Sequence, residues 1–252
     1  MEDVLVDPAS PPEPAPAAGA CPGGTGPADG PSSGSSGWTV VMPLKASARG
    51  KSRIDLAPDL RRRLVLMMAT DAVTAVAGAP GVARVLLVVE DPDDGRTIAD
   101  AARAAPVHDR SAPVDAHVTA ATSLNAAIRD GAAQAGEGPV AVLPCDVPSA
   151  TAAEIGAALA AAHRHARAVV ADADGIGTTL LAAQHGRDLN PRYGPDSWRR
   201  HVDDGAVPLD LPAGSGLRRD VDLRSDLAAV TGPATRRAWR DSGEGAPASA
   251  PA

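Results

Sequence analysis

Short apolar runs that recur between helical segments constrain this chain more than any other feature. ARVLLVV, residues 83–89, is almost continuously apolar, as expected of a strand covered on both faces, where the usual in-out alternation is lost. Similar runs occupy Thr39–Leu44, Val140–Leu143 and Arg167–Ala171, with a weaker one at Val114–Val118. Between them lie helical patterns. One spans Pro58–Val76, with Pro58 early and Gly78 and Pro80 past its end, the usual punctuation of a helix. Others cover Thr97–Ala104, a stretch from about Ser123, and PSATAAEIGAALAAAHRH, where Thr151 and Glu154 have capping-box spacing. Strand alternating with helix predicts an α/β fold, a doubly wound and mostly parallel sheet with ligands at the carboxyl ends of its strands. A length of 252 residues suits one such domain.

The ends of the chain differ from this body. Residues 1–37 are rich in Pro and Gly and carry five acidic residues (Glu2, Asp3, Asp7, Glu13, Asp29) and no Lys or Arg, the composition of a disordered tail. That tail holds −5 of the formal −7, so the remainder is nearly neutral, and no basic field points to nucleic acid. Aromatics at 2% without a single Phe exclude a base-stacking platform. Residues 234–252 read as a second, mostly disordered tail. No apolar run reaches the length of a membrane span and the N-terminus lacks a secretory pattern, so a soluble, cytoplasmic protein is expected. Cys21 and Cys145 suggest neither disulfide nor metal site.

Chemistry belongs where strands end. The first apolar strand runs into LKASARGKSR, which places Lys45, Arg49, Lys51 and Arg53 on one loop; such a cluster reads either as a polyphosphate grip or as solvated surface charge. Asp146, in LPCDVPS, follows a strand directly and reads as a ligand of a phosphate-bound cation or as a turn residue. Asp220 and Asp222 have strand spacing and so share one face, with Ser225 as N-cap of the next helix. Two carboxylates from separate strand ends suit a hard cation such as Mg²⁺, which uses few protein ligands together with phosphates and water. In DADGIGTTLLAAQ, Gly175 and Gly177 allow close backbone approach, and Thr178 and Thr179 offer hydroxyls; a glycine turn before an edge strand is the plainer reading. Gly194 and Ser197 open a helical stretch suited to an anion, and His201 one turn later reads as a surface residue. No P-loop, dinucleotide fingerprint, nucleophile elbow or metal-spaced histidine set is present.

In order, PLKASARGKSR, SLNAAI, LPCDVPSATAAEI, DGIGTTLLAA, YGPDS and LRRDVDLRSDL resemble the CofC/FbiD guanylyltransferases over about residues 38–230, and through them the wider nucleotide-diphospho-sugar-transferase-like (Rossmann-like) class. The resemblance implies a guanylyltransferase domain over 38–233 that joins a three-carbon phosphate to GMP from GTP, releasing pyrophosphate, in coenzyme F-420 biosynthesis. It implies Mg²⁺ on Asp146 and Asp222, with Lys51 as a third catalytic group. GTP would lie against Leu44, Lys45, Lys51, Arg53 and Asn125. Thr179, Gly194 and Ser197 would contact the acid. Phosphoenolpyruvate is the favoured acid, with 2-phospho-L-lactate or 3-phosphoglycerate as alternatives and a non-catalytic nucleotide-binding module as a rival from another class. A downstream transferase is the implied partner. Tyr193 and Trp198 stand where the family pattern has Phe.

Overall fold

A computed structural model describes residues 37–48, 51, 54–105 and 111–244. Among these residues, seven strands are interleaved with six α-helices in the order β1 (Trp38–Leu44), α1 (Pro58–Ala77), β2 (Val82–Val89), α2 (Pro92–Ala104), β3 (Val114–Val118), α3 (Leu124–Gln134), β4 (Val140–Val142), α4 (Ala152–Ala162), β5 (Arg167–Ala171), β6 (Thr178–Ala183), α5 (Ser197–Asp203), β7 (Val207–Pro208) and α6 (Pro233–Asp241). The strands form one sheet in the order β3-β2-β1-β4-β6-β5-β7. The β1–β2, β2–β3, β1–β4 and β5–β7 pairs are parallel, whereas β6 runs antiparallel to both β4 and β5. The expected doubly wound, mostly parallel sheet is therefore present, with one reversed strand.

Alternation along the strands shows why both faces are covered. Val40 and Met42 join Val85 and Leu87 in a core shared with Ala69, Val73 and Val76 of α1, Ile98 of α2 and Leu159 of α4. Val41, Leu86 and Val88 face the other way, against Ile128 of α3 and Trp198 and Val202 of α5. Each strand thus buries successive side chains in two different cores, and this forces the continuous apolar run. Gly131 lets α3 sit close to the sheet: a Cβ there would lie 2.6 Å from Val88 Cγ2 and 2.8 Å from Val41 Cγ1.

Helix starts follow their local signals. Ser123 accepts from the Ala126 amide, and Thr151 and Glu154 form the reciprocal capping box. The helix expected from Thr97 begins earlier, at Pro92, because the Asp91 side chain caps it by accepting from Asp93 N–H.

The C-terminal segment departs from expectation. Its first part is not a tail but α6, which buries Thr235, Ala238 and Trp239. Asp71 of α1 caps this helix from across the molecule. Its carboxylate accepts from Ala234 N–H at 3.0 Å, Thr235 N–H at 2.8 Å and the Thr235 hydroxyl at 2.7 Å. Helix donors satisfied by a residue 163 positions away leave no local cap to read in the sequence. A third cluster, with Leu64, Val65 and Met68 of α1, Val221, Leu227 and Trp239, fills the space between α1, α6 and the preceding loop.

Candidate active site

Because β4 runs parallel to β1 and β2, the loops after these strands open on one edge of the sheet. Asp146 follows β4 there. The Val221 amide donates to the Asp146 carbonyl at 2.9 Å, and Val221 itself is buried, so Asp220 and Asp222 project together toward Asp146. The segment is extended but belongs to no strand; the expected shared face arises from one buried valine between two carboxylates. Asp226, rather than the expected Ser225, caps the short helical turn that follows, accepting from the amides of Asp222 and Leu223.

Lys51 meets this group. Its Nζ donates to Asp146 Oδ2 at 2.7 Å and to Asp222 Oδ1 at 2.5 Å. The residue has φ 51°, a left-handed conformation that a lysine adopts only when its surroundings hold it there. Burial opposes its charge, but Asp146 and Asp222 outweigh burial and hold the ammonium above its ordinary range. Carboxylate oxygens of Asp146, Asp220 and Asp222 all lie within 4.8 Å of one another. Burial, followed by the charges of Asp146 and Asp222, pushes Asp220 up to about 7, against the pull of Lys51. One ammonium thus leaves three clustered carboxylates incompletely neutralised. Their all-oxygen donor set fits a hard divalent cation, which Asp146, Asp220 and Asp222 would hold.

Beside the cluster opens a cavity of about 410 Å³, lined by Leu44, Lys45 and Lys51, by Glu90 after β2, by Thr119 after β3, by Thr122, Ser123 and Leu124 at the start of α3, and by Asp146 and Asp222. Its size suits a small-molecule ligand. Leu44, Lys45 and Lys51 all line this cavity, while Arg49 and Arg53 lie outside the described residues. Asn125 does not line the cavity. Its side chain spans Tyr193, accepting from the Tyr193 amide at 2.8 Å and donating to the Tyr193 carbonyl at 3.0 Å, which fixes the loop before α5.

The third group of expected residues lies around the start of β6, and none of them lines the cavity. Since β6 is reversed, its first residues reach the edge where its neighbours end. Thr179 is 3% exposed and its hydroxyl has no hydrogen-bond partner among the described residues. The Tyr193 hydroxyl is likewise buried without one. Ser197 is buried and donates to Thr178 Oγ1 at 3.1 Å, and Gly194 has φ 128°. His201, expected at the surface, is fully buried. The Arg192 amide donates to its Nε2 at 2.9 Å, so Nδ1 carries the proton and donates to Thr178 Oγ1 at 3.0 Å. Burial, then the nearby Arg167 guanidinium, lowers its pKa to about 4.

A family model described as "Guanylyl transferase CofC like" matches residues 38–207. The chain belongs to this family. Phosphoenolpyruvate guanylyltransferase of Sanguibacter keddieii is 42% identical, over 84% of this chain and 88% of its own. The protein of the same name from Streptomyces scabiei is 44% identical, over 77% of this chain and 90% of its own. Among solved structures, a putative nucleotide-diphospho-sugar transferase from Desulfovibrio desulfuricans G20 superposes with TM-score 0.61 at 14% identity, covering 82% of this chain and 95% of that one. A nucleotidyl transferase from Methanothermobacter thermautotrophicus gives 0.51 at 20% identity, over 80% and 99%. These two share the fold.

Within the CofC-like chain, sequence reasoning left Glu90, Thr119 and Thr122 out of the site. Glu90 had a readable signal, since it directly follows the apolar run of β2. His201 had none, because the hydrophobic pattern of a seven-residue helix does not reveal which polar residue is buried. Among the described residues no helix is long and apolar enough to cross a membrane.

Proposed function

We infer that this chain is a phosphoenolpyruvate guanylyltransferase of coenzyme F-420 biosynthesis, transferring GMP from GTP to the phosphate of phosphoenolpyruvate. The observation that carries this reading is the meeting of Lys51 with Asp146 and Asp222 on the wall of a nucleotide-sized cavity in a CofC-like chain. An oxygen of the acceptor phosphate attacks the α-phosphorus of GTP, the bond from that phosphorus to the bridging oxygen breaks, and pyrophosphate leaves. A phosphate monoester is largely dianionic at neutral pH, its second pKa being about 6, so the nucleophile needs no general base. The lack of a catalytic triad motif agrees with this.

The difficulty is electrostatic: two polyanions must approach and a third must depart. Lys51 and Lys45 supply positive charge on the triphosphate side. Asp146 and Asp222, with Asp220 beside them, would hold Mg²⁺. Bound there, the ion would offset charge on the α-phosphate and the departing pyrophosphate. Thr179, Gly194 and Ser197 would form the acceptor side, where the buried Thr179 hydroxyl has no hydrogen-bond partner among the described residues. The same reading makes this a cytoplasmic enzyme that passes its labile enolpyruvyl product to a downstream transferase. Incubation with Mg²⁺, GTP and each of phosphoenolpyruvate, 2-phospho-L-lactate and 3-phosphoglycerate, followed by pyrophosphate release and product mass, tests the assignment. Fastest release with phosphoenolpyruvate supports it; release with none of the three acids ends it.

A further inference from the structure

The loop that carries Lys45 and Lys51 to the cavity is pinned by two buried residues. At its far end Ile54 is fully buried in the cluster that also holds Leu64, Val221 and Trp239, and its amide donates to the Lys51 carbonyl at 2.9 Å. At its near end stands Ser47. The Ser47 amide donates to Asp94 Oδ2 at 2.8 Å and its hydroxyl to Asp94 Oδ1 at 2.9 Å, so both carboxylate oxygens close on one serine. Ser47 and Asp94 are each 1% exposed. Arg62 of α1 completes the clasp: its Nε donates to Ser47 Oγ at 3.1 Å, and its Nη2 lies 3.6 Å from Asp94 Oδ1.

An acid in the first turn of a helix ordinarily faces solvent and answers the helix dipole. Asp93 of α2 is exposed in that way. Asp94 instead turns inward and reaches a loop 47 residues away. Gly95 fixes where it stands, since a Cβ there would lie 3.0 Å from Val89 Cγ2 and 3.2 Å from Ala116 Cβ; the start of α2 therefore rests on the sheet itself. We propose that Asp94 is a positioning residue for polyphosphate binding, acting through Ser47 to hold Lys45 and Lys51 at the cavity. Only the identity of the ligand, the triphosphate of GTP, rests on the guanylyl-transfer reading. Without the clasp the loop must be ordered anew each time the polyanion binds, and apparent affinity falls with the fraction of chains that have their lysines in place.

The test is calorimetric binding of inorganic tripolyphosphate and of GTP to the full chain with Mg²⁺, together with steady-state turnover. Asp94→Asn removes a negative charge near a site for polyanions, which by charge alone would tighten binding. As a broken clasp it should weaken both ligands by about tenfold or more. Ser47→Ala keeps the charge and should weaken them too, and thermal unfolding checks that both variants fold. In turnover, KM for GTP should rise while kcat at saturating GTP stays within about twofold of wild type, because bound triphosphate re-orders the loop. Combined with Lys45→Ala, Asp94→Asn should fall short of the product of the separate effects by more than about twofold, since the cation it places is gone. Unchanged or tighter binding in the two variants overturns the assignment, as does a fall in kcat with KM unaltered, or effects that multiply in full. A wild type that binds tripolyphosphate but not GTP overturns the guanylyl-transfer reading, while weakened tripolyphosphate binding in the variants still supports the clasp. A wild type that binds neither ligand overturns both.

Discussion

The Val221 amide donates to the Asp146 carbonyl over 2.9 Å, so two segments 75 residues apart present their carboxylates as one unit. Val221 is anchored in the cluster that α1 and α6 share. The geometry of the acidic group is therefore set by apolar packing behind it as well as by Lys51 in front.

Asp146→Asn removes a charge from this unit and keeps its shape. Turnover should fall on the order of 10²-fold or more, because both cation binding and Lys51 placement depend on that carboxylate. Pyrophosphate release at the wild-type rate would contradict the role given to Asp146.

Lys51→Ala should weaken GTP binding by about 10- to 150-fold, the worth of a charge-assisted hydrogen bond. It also leaves Asp146 and Asp222 facing one another without a counter-charge. Added Mg²⁺ should then raise the melting temperature of the variant more than that of the wild type. An unchanged GTP affinity measured by calorimetry would remove Lys51 from the site.

Asp71→Ala unlatches α6. Three donors lose their buried acceptor, at a cost of about 2–4 kcal/mol. The expected result is a lower melting temperature and faster proteolysis within residues 233–244. A variant as stable and as protease-resistant as the wild type would show that Asp71 does not hold the helix.

His201 gives stability a pH dependence. Its pKa falls from the ordinary 6.5 to about 4 on folding. Above 6.5 both folded and unfolded chains carry it neutral, and its contribution is complete. As pH drops toward 4 the unfolded chain takes up a proton that the folded chain refuses, so up to about 3 kcal/mol is lost. Urea unfolding of the Asp220→Asn variant, from which the opposing titration of Asp220 near 7 is removed, should show stability declining with acidification between pH 7.5 and 5.5. A flat profile there would mean that His201 is not held neutral by burial.

Much of the fold could be read from the sequence because local patterns and tertiary structure agree. The strand at Val114–Val118, the Thr151–Glu154 capping box and the Ser123 cap all express themselves within a few residues. The same holds for Asp146, which the end of β4 delivers to the cavity wall. Features made by distant partners were not legible. Helix α6 depends on Asp71, and the reversal of β6 cannot be seen in TTLLAA, which is as apolar as a parallel strand. The burial of His201 depends on contacts with Thr178 and Arg192, and pocket membership of Glu90 and Thr119 depends on strand order.

The reversal of β6 also divides the loops by how freely they can vary. For β1, β2 and β4 the loop after the strand reaches the cavity wall, so an insertion there would move residues that line it. For β6 the rule inverts. Residues 172–177 meter the entry of Thr178 and Thr179 to the edge where its neighbours end, and a single residue added there would shift both hydroxyls, whereas additions near Gln184 and His185 would fall on the remote side. A change of length at the start of β6 would thus move Thr178 and Thr179, and one at its end would instead disturb the hydrogen bonds that Gln184 donates to the carbonyls of Ala162, His163 and His165.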